Sequence, residues 1–336
     1  MRLAIGVDVG ATKIAAVLAD ECGRTLRELR RPTEADRGPT AVIRTIAAMI
    51  AELIAQSPDP VVGIGLDAPG QVNPAEGVVR QATNLGWEEV HLVAGLREAL
   101  NLTLPLYVIR DAYAEVLGEA YFGAGQGCKD LVYLGLGSGL GGGAMSDGRL
   151  ISGATLNASE IGHLSLDPDG RLCSCGQRGC AETVVSGNGV LATARDWIQA
   201  NAWPTTLLDG PALAAEDVIM AAAKGDVLAT AVMSKAARWL GQIMAAYAII
   251  LNPARIIIGG GFGKAAFPLL LPEAQQELNR RALNMNRQQL EIVPAASTSS
   301  AVGASCLVWH WELPHAERPF NPSVRGEGNA PQGGDN

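Results

Sequence analysis

The chain has 336 residues, a formal net charge of −8, 48% hydrophobic residues and 18% charged residues. This length exceeds one ordinary hydrophobic core and indicates two domains. The apolar content excludes a largely disordered protein, and the negative charge argues against nucleic acid as a partner. No apolar run is long enough to cross a bilayer and no export signal is visible, so we expect a cytoplasmic protein without a membrane partner that binds a small molecule.

The first predicted element is a pair of short strands over residues 3–18. Two apolar runs flank a polar, glycine-containing tip from Asp8 to Lys13, a pattern typical of a hairpin. A helix is predicted over residues 40–56, where apolar side chains recur at helical spacing and Thr40 is a candidate N-cap.

Two further apolar runs, residues 61–66 and 106–109, predict buried strands. Each run is followed by an aspartate at the strand end, Asp67 in the first case and Asp111 soon after the second. Residues 112–121 have helical character, which places Asp111 at a strand-to-helix junction. Ligands usually gather at such junctions in open α/β sheets.

The second half of the chain repeats the pattern of the first. Residues 131–136 and 141–145 are strand-like and flank Gly137–Gly139, which indicates an internal duplication. The remaining predicted elements are helices near 187–200, 214–224 and 227–251, a last strong strand at 255–258 that closes on Gly259–Gly261, and a helix over 301–311. The composition of residues 315–336 is typical of a disordered tail.

Three glycine-containing loops therefore follow predicted strands. Glycine lets backbone N–H groups approach phosphate oxygens, and hydroxyls and a lysine add further donors. One such loop alone is more often a tight turn, but three in similar contexts indicate nucleotide phosphates. The candidate residues are Asp8, Gly10, Thr12, Lys13, Gly137, Ser138, Gly139, Gly260 and Gly261.

These loops match neither a Walker loop, since GxxxxGK[ST] is absent, nor a dinucleotide fingerprint, since Gly137 leads into another strand. Glycine loops on two duplicated halves resemble instead the actin, Hsp70 and sugar-kinase superfamily. The resemblance implies a two-lobed α/β fold of the ribonuclease H-like type, with a central cleft in which hairpin tips hold ATP with Mg²⁺.

Three of the six cysteines, Cys173, Cys175 and Cys180, fall within eight residues. This spacing indicates a metal site, whereas free thiols are the less frequent explanation. The segment continues to Glu182 as CxCGxxGCxE, with Glu160-Ile161-Gly162-His163 upstream. These motifs are similar to those of the ROK family of bacterial sugar kinases and repressors, over about residues 3–312. With His163, the thiolates complete a tetrahedral set that suits a structural Zn²⁺.

The family resemblance also implies roles for individual residues. Asp111 matches the catalytic base, although aspartate at this position is also a common helix N-cap. Glu160, Glu182 and His163 match sugar contacts, with a surface carboxylate as the alternative for either glutamate. Two more candidate substrate contacts are Asn84 and Gly70, the latter in a loop that could equally be an ordinary Pro-Gly turn.

Arg110 departs from the family pattern, in which Asn-Asp usually ends the catalytic strand. An arginine only donates hydrogen bonds, so it cannot replace an asparagine that also accepts them. The resemblance implies a kinase acting on the C6-equivalent hydroxyl of a hexose. The alternatives are a kinase of a C7 cyclitol or modified hexose, and an arginine that simply points away from the substrate.

The ROK family also contains repressors, which carry an N-terminal helix-turn-helix domain. Because the first strand begins at Leu3 and Asp111 is present, we expect a kinase, and a non-catalytic sugar sensor is the less favoured alternative. The predicted lobes are residues 1–110 with about 300–314, and residues 111–299 with the zinc insertion. The resemblance further implies a homodimer.

Overall fold

A computed structural model describes residues 2–205, 213–296 and 299–312. They fall into two compact units: residues up to 114 with those from 299 onward, and residues from 115 to 298. The tail predicted over residues 315–336 lies outside the described residues. No helix in the described part of the chain has the length and apolar character that crossing a bilayer requires.

The first unit is built on a five-stranded sheet and a smaller three-stranded sheet. Its strands are β1 (Leu3–Val9), β2 (Lys13–Asp20), β3 (Thr25–Pro32), β4 (Val61–Ala68), β5 (Gln71–Asn73), β6 (Val78–Ala82), β7 (Trp87–Val90) and β8 (Leu106–Arg110). The large sheet has the order β3-β2-β1-β4-β8, in which β1, β4 and β8 are parallel and the β1–β2 and β2–β3 pairs are antiparallel. The small sheet has the order β5-β6-β7 and is antiparallel.

Helices cover the large sheet of this unit. They are α1 (Pro39–Ala55), α2 (Leu92–Leu100) and the C-terminal α10 (Ser300–Glu312), while α3 (Asp111–Phe122) contains the boundary between the units. The backbone of α10 lies so close to β1 and β4 that a side chain at Gly6 or Gly65 would overlap the carbonyls of Ala301 and Ala304. These two glycines therefore allow α10 to pack directly on the sheet.

The second unit repeats this sheet topology. Its strands are β9 (Leu131–Leu136), β10 (Leu140–Ser146), β11 (Arg149–Leu150), β12 (Arg255–Gly259) and β13 (Glu291–Pro294), in the order β11-β10-β9-β12-β13. As in the first unit, an antiparallel hairpin is joined by two parallel strands. The internal duplication predicted from the sequence is confirmed.

Among the described residues, six α-helices lie wholly within the second unit: α4 (Glu182–Val185), α5 (Gly187–Gln199), α6 (Ala215–Ala223), α7 (Val227–Leu251), α8 (Gly261–Arg281) and α9 (Asn284–Arg287). Buried apolar side chains of α7 and α8 pack with those of β9 and β12 in one core. The three helices predicted between residues 187 and 251 are confirmed by α5, α6 and α7.

Two local predictions are wrong. The N-cap of α1 is Gly38, because Pro39 already occupies the first helical position, where its missing N–H costs nothing; Thr40 is therefore inside the helix. The strand at 255–258 is not the last one, because β13 pairs with it in parallel. Short and only partly buried, β13 begins with a glutamate and ends with a proline, so it gives a weak strand signal.

Candidate functional site

Three aspartates lie at the carboxyl ends of neighbouring parallel strands in the first unit. Asp8 of β1 pairs in register with Asp67 of β4, and Asp67 pairs with Ile109 of β8, two residues before Asp111. Asp111 lies close enough to Asp8 for its charge to affect that carboxyl group. The topology thus brings together the two strand-end aspartates predicted from the sequence and Asp8.

Burial of this cluster affects its charge. Desolvation by burial raises the pKa of Asp8, and the negative charge of Asp111 raises it further. A hydrogen bond with the Asp67 side chain and the positive charge of Lys13 lower this pKa, but the net shift is upward. Asp67 is fully buried. The cluster is therefore a site where a bound cation would offset unfavourable negative charge, as Mg²⁺ does at carboxylates and phosphates.

We expect Asp8→Asn to stabilise the ligand-free protein. An acid whose pKa is raised by folding lowers stability as the pH rises through that range, so at neutral pH the ionised Asp8 is unfavourable. Removing its charge should raise Tm by about 2–4 °C, the shift that about 1 kcal/mol produces in a domain of 150–250 residues. Thermal denaturation without nucleotide measures this. The rise in Tm should become smaller as the pH falls. The control is Asp36→Asn, at an exposed position. An equal rise in Tm in the two variants would contradict the argument.

Asp111 is the first residue of α3, directly after β8. Its Oδ1 accepts a hydrogen bond of 2.7 Å from the N–H of Ala112. The helix N-terminus favours a carboxylate at this place. This hydrogen bond and proton acceptance are compatible, because a carboxylate has a second oxygen for a substrate hydroxyl.

The β1–β2 tip has an internal brace that the sequence did not reveal. The N–H of Gly10 donates to the Lys13 carbonyl at 3.0 Å, and the buried Thr33 donates its hydroxyl to the Gly10 carbonyl at 2.7 Å. The N–H of Thr33 also donates to the Thr12 carbonyl at 3.1 Å. Because Thr33 follows β3, which was not predicted as a strand, no sequence pattern linked it to the tip. Thr12 and Lys13 remain exposed.

The β9–β10 tip, Gly137–Gly139, is supported from a helix start. The N–H of Gly187 donates to the Gly137 carbonyl at 2.9 Å, and the N–H of Asn188 donates to the Ser138 carbonyl at 3.4 Å. The Ser138 residue is exposed. The tip is thus anchored through its carbonyls, which leaves its serine hydroxyl available to a ligand.

The third glycine loop differs from the two hairpin tips. After β12, Gly260 is the N-cap of α8 with a φ of 76°, and Gly261 is the first helical residue. A side chain at Gly260 would overlap the backbone of Leu136. The loop therefore leads into a helix whose N-terminal N–H groups are a suitable site for phosphate.

The four predicted metal ligands come together in the second unit. One donor atom each from His163, Cys173, Cys175 and Cys180 lies within 4.8 Å of all the others. The Sγ atoms of Cys175 and Cys180 are 3.6 Å apart, and Cys173 Sγ is 3.7 Å from His163 Nδ1. These separations fit tetrahedral zinc, whose bonds of about 2.3 Å to sulfur and 2.0–2.1 Å to nitrogen imply donor separations of about 3.5–3.8 Å.

The chemistry of these thiols also favours a metal. Burial and the neighbouring thiols raise the pKa of Cys180 to about 12, while a backbone N–H and the neighbouring thiols lower the pKa of Cys175. A cation is what would hold the Cys180 sulfur as a thiolate at neutral pH. The donor set therefore fits Zn²⁺.

Glu182 links this cluster to the β9–β10 tip. Its Oε1 lies 3.2 Å from Cys173 Sγ and 3.8 Å from His163 Nδ1, and its Oε2 accepts from the Leu140 N–H at 3.5 Å. Glu160 is exposed and precedes the 3-10 helix Ile161–His163. Glu160 and His163 also line a pocket of about 460 Å³ with the end of α7.

The other predicted substrate contacts lie in the first unit. Arg110 ends β8, is only 5% exposed, and its guanidinium carbon lies 4.7 Å from the centre of the Tyr113 ring. Asn84 is exposed on the 3-10 helix Thr83–Leu85. Gly70 has a φ of 83°, and a side chain there would overlap the Gln81 carbonyl. A tight turn is thus enough to explain Gly70.

Comparison with known proteins identifies the family. The sequence profile of the ROK family matches residues 4–310. A glucokinase of Halalkalibacterium halodurans is 35% identical over 281 residues, 82% of this chain and 84% of that protein. The DNA-binding transcriptional dual regulator NagC of Escherichia coli is 30% identical over 313 residues, 91% of this chain and 75% of the regulator.

The solved structures agree. A ROK family glucokinase from Streptomyces griseus, in complex with glucose and AMPPNP, matches with a TM-score of 0.75 and 31% identity, covering 91% of this chain and 98% of that one. This match confirms the predicted actin-like ATPase fold with duplicated halves. By its sequence profile, its relatives and its fold, the chain belongs to the ROK family.

Proposed function

We propose that the protein is an ATP-dependent kinase that phosphorylates the C6-equivalent hydroxyl of a hexose. The observation that carries this proposal is the cluster of Asp8, Asp67 and Asp111 at the ends of three parallel strands, in a chain related to glucokinases. The bound AMPPNP and glucose of the Streptomyces griseus enzyme support the same pair of substrates.

Asp111 is the proposed catalytic base. As the acceptor hydroxyl oxygen forms a bond to the γ-phosphorus of ATP, the bond from that phosphorus to the bridging oxygen of ADP breaks, and Asp111 takes the hydroxyl proton. Asp8 is the proposed residue that holds the Mg²⁺ of MgATP, and this ion would neutralise charge on the phosphates. The acceptor oxygen, the proton and the leaving ADP are thus all accounted for.

The remaining roles follow from position in the fold. We assign nucleotide phosphates to the three glycine loops, with donors from Thr12, Lys13 and Ser138 and from the start of α8. We assign binding of the phosphoryl acceptor to four side chains with carboxylate, amide or imidazole groups, and a close approach of the acceptor to the backbone at Gly70. The four side chains are those of Asn84, Glu160, His163 and Glu182.

We also propose that His163, Cys173, Cys175 and Cys180 hold a structural Zn²⁺. A closed set of four protein ligands leaves no open position for a reacting water. The ion would therefore shape the loop that carries residues proposed to contact the phosphoryl acceptor. Reduced thiols of this kind suit the cytoplasm, where we expect the enzyme to act. From the family resemblance, we also propose that it is a homodimer.

An ADP-release assay with hexoses, N-acetylhexosamines and C7 cyclitols tests the proposal. We expect Mg²⁺-dependent ADP release with at least one hexose, and phosphate on its primary hydroxyl by NMR. If no acceptor stimulates ADP release while sugars still bind, the protein is a non-catalytic sugar sensor. The similarity to the transcriptional regulator NagC supports this alternative.

Arg110 favours a second candidate, a kinase of a C7 cyclitol or modified hexose. Its position before Asp111 and its contact with Tyr113 fix a positive charge near the proposed base. Such a group would bind an acceptor oxygen that lacks a hydrogen to donate, such as a carbonyl. The same acceptor panel decides between the two candidates, because a preference for C7 cyclitols over glucose would support this one.

We expect Arg110→Asn to shift acceptor preference toward glucose. Asparagine both donates and accepts hydrogen bonds, so the ratio of kcat/KM for glucose to that for other acceptors should rise by about tenfold, the effect of about 1.4 kcal/mol. The variant should also lose some stability, because a buried cation–π contact is removed. Arg97→Asn, at an exposed position of α2, is the control. An unchanged ratio would show that Arg110 does not contact the acceptor.

A further inference from the structure

Two paired glycines make room for a buried tyrosine beside the third glycine loop. Gly135 of β9 and Gly259 of β12 are register partners, and Tyr133 lies on the same face of β9 as Gly135. A side chain at Gly259 would overlap the Tyr133 hydroxyl. Tyr133 is 3% exposed, so its phenol is enclosed where β12 leads into α8.

The hydroxyl of Tyr133 has two polar partners. Glu115 of α3 accepts its proton in a hydrogen bond, and the backbone N–H of Gly260 donates to its oxygen. The positions of the atoms agree with this pairing, because a side chain at Gly135 would meet both Glu115 Oε2 and Tyr133 Cε1 at 3.1 Å. Burial, together with the charge of Glu115, raises the pKa of Tyr133, so the phenol stays protonated and keeps its proton for Glu115.

A neighbouring carboxylate has a different task. Glu119, one turn further along α3, accepts from the N–H groups of Ala124 at 2.8 Å and Ala296 at 3.0 Å. It therefore ties two backbone segments of the second unit together. Glu115, by contrast, orients a side chain whose oxygen reaches the glycine loop.

We propose that Tyr133, oriented by Glu115, is a positioning residue for nucleotide binding at the Gly259–Gly261 loop. Gly260 has a φ of 76°, a conformation that is adopted at little cost by glycine but is not enforced by it. The hydrogen bond from its N–H to the phenol fixes this peptide. The N–H groups of the first turn of α8 are thereby held in place for phosphate.

This inference rests on the proposed function, since it assumes that the loop binds nucleotide. Tyr133→Phe keeps the ring but removes the oxygen. We expect the Kd for AMPPNP, measured by calorimetry, to rise by about five- to tenfold, the range for one lost hydrogen bond. The KM of the best acceptor should stay within about twofold, a separation that general loosening of the fold would not produce. Equal losses for nucleotide and acceptor, or no loss for nucleotide, would overturn the proposal.

Two further variants sharpen the test. Glu115→Ala should weaken AMPPNP binding in the wild-type background but add little to Tyr133→Phe, because both act through one hydroxyl. Additive losses would contradict this. The matched control is Tyr121→Phe, which makes the same change of side chain at a different position, on α3. This variant should bind AMPPNP as the wild type does.

Amide hydrogen exchange separates this inference from the proposed function. In the nucleotide-free protein, exchange of the Gly260–Phe262 amides should be at least about tenfold faster in Tyr133→Phe. That result supports the positioning role even if the wild-type chain fails to bind AMPPNP, in which case the proposed kinase activity fails instead. Unchanged exchange in this segment would overturn the positioning role.

Discussion

Asp111→Asn should reduce kcat by about 10²–10⁴-fold, the contribution typical of a positioned general base. An amide cannot take the proton of the attacking hydroxyl, yet its oxygen can still accept the hydrogen bond from the Ala112 N–H. The substitution therefore separates proton transfer from this local hydrogen bond. Steady-state ADP release at saturating ATP and acceptor measures the loss.

Binding measurements make this result specific. The Kd for AMPPNP and for the acceptor should change by less than about threefold, since the base acts mainly in the transition state. The matched control is Asp226→Asn, because Asp226 also lies at the start of a helix: it is the N-cap of α7 and accepts from the Ala229 N–H at 2.9 Å. That variant should lose stability but keep its kcat. Full turnover in Asp111→Asn would exclude Asp111 as the base.

The aspartate cluster shows why part of the site could be predicted from the sequence. Each aspartate follows a short apolar run, and parallel strands bring their carboxyl ends to one edge of a sheet. Pattern and topology thus give the same answer for Asp67 and Asp111. The proposed zinc ligands were predictable for a similar reason, because three of the four lie within eight residues and the local chain reversal brings them together.

Contacts that join distant segments could not be predicted in this way. The brace from Thr33 to the Gly10 carbonyl joins β3 to the first hairpin tip, and the contact of Tyr133 with Glu115 joins a strand to a helix. Neither pair has a fixed sequence spacing. A buried threonine or tyrosine in an apolar segment looks like an ordinary core residue until its hydroxyl partner is known.

Helix α8 was missed for a different reason. It contains Pro268 and Pro272, which disfavour a helix interior, and its apolar residues do not recur clearly at helical spacing. Neither feature of the sequence predicts a helix. The buried side chains of Phe262, Ala266 and Leu270 nevertheless pack it against the core of the second unit. Tertiary packing here overrides local preference, and it turns the third glycine loop into a helix N-terminus.

Removal of zinc is expected to have the second large effect. We expect one Zn²⁺ per chain by mass spectrometry, and loss of that ion in Cys180→Ser, because this buried sulfur completes the set of four donors. Glu182 Oε1 lies 3.2 Å from Cys173 Sγ, so a disordered ligand loop would displace a proposed acceptor contact. The KM for the acceptor should rise by about 10–100-fold, the range seen when groups that orient metal ligands are lost.

The control for this effect is Cys22→Ser, which removes an exposed cysteine of the other unit and should leave both the zinc content and the acceptor KM unchanged. Chelation of the wild-type protein should reproduce the Cys180→Ser result and be reversed by added Zn²⁺, because thiolates and a neutral imidazole can rebind the ion. Acidification should also release it, since protons compete for these four donors. A Cys180→Ser protein without zinc but with a wild-type acceptor KM would mean that the ion stabilises only its own loop, and that Glu160, His163 and Glu182 are held in place by the surrounding fold instead.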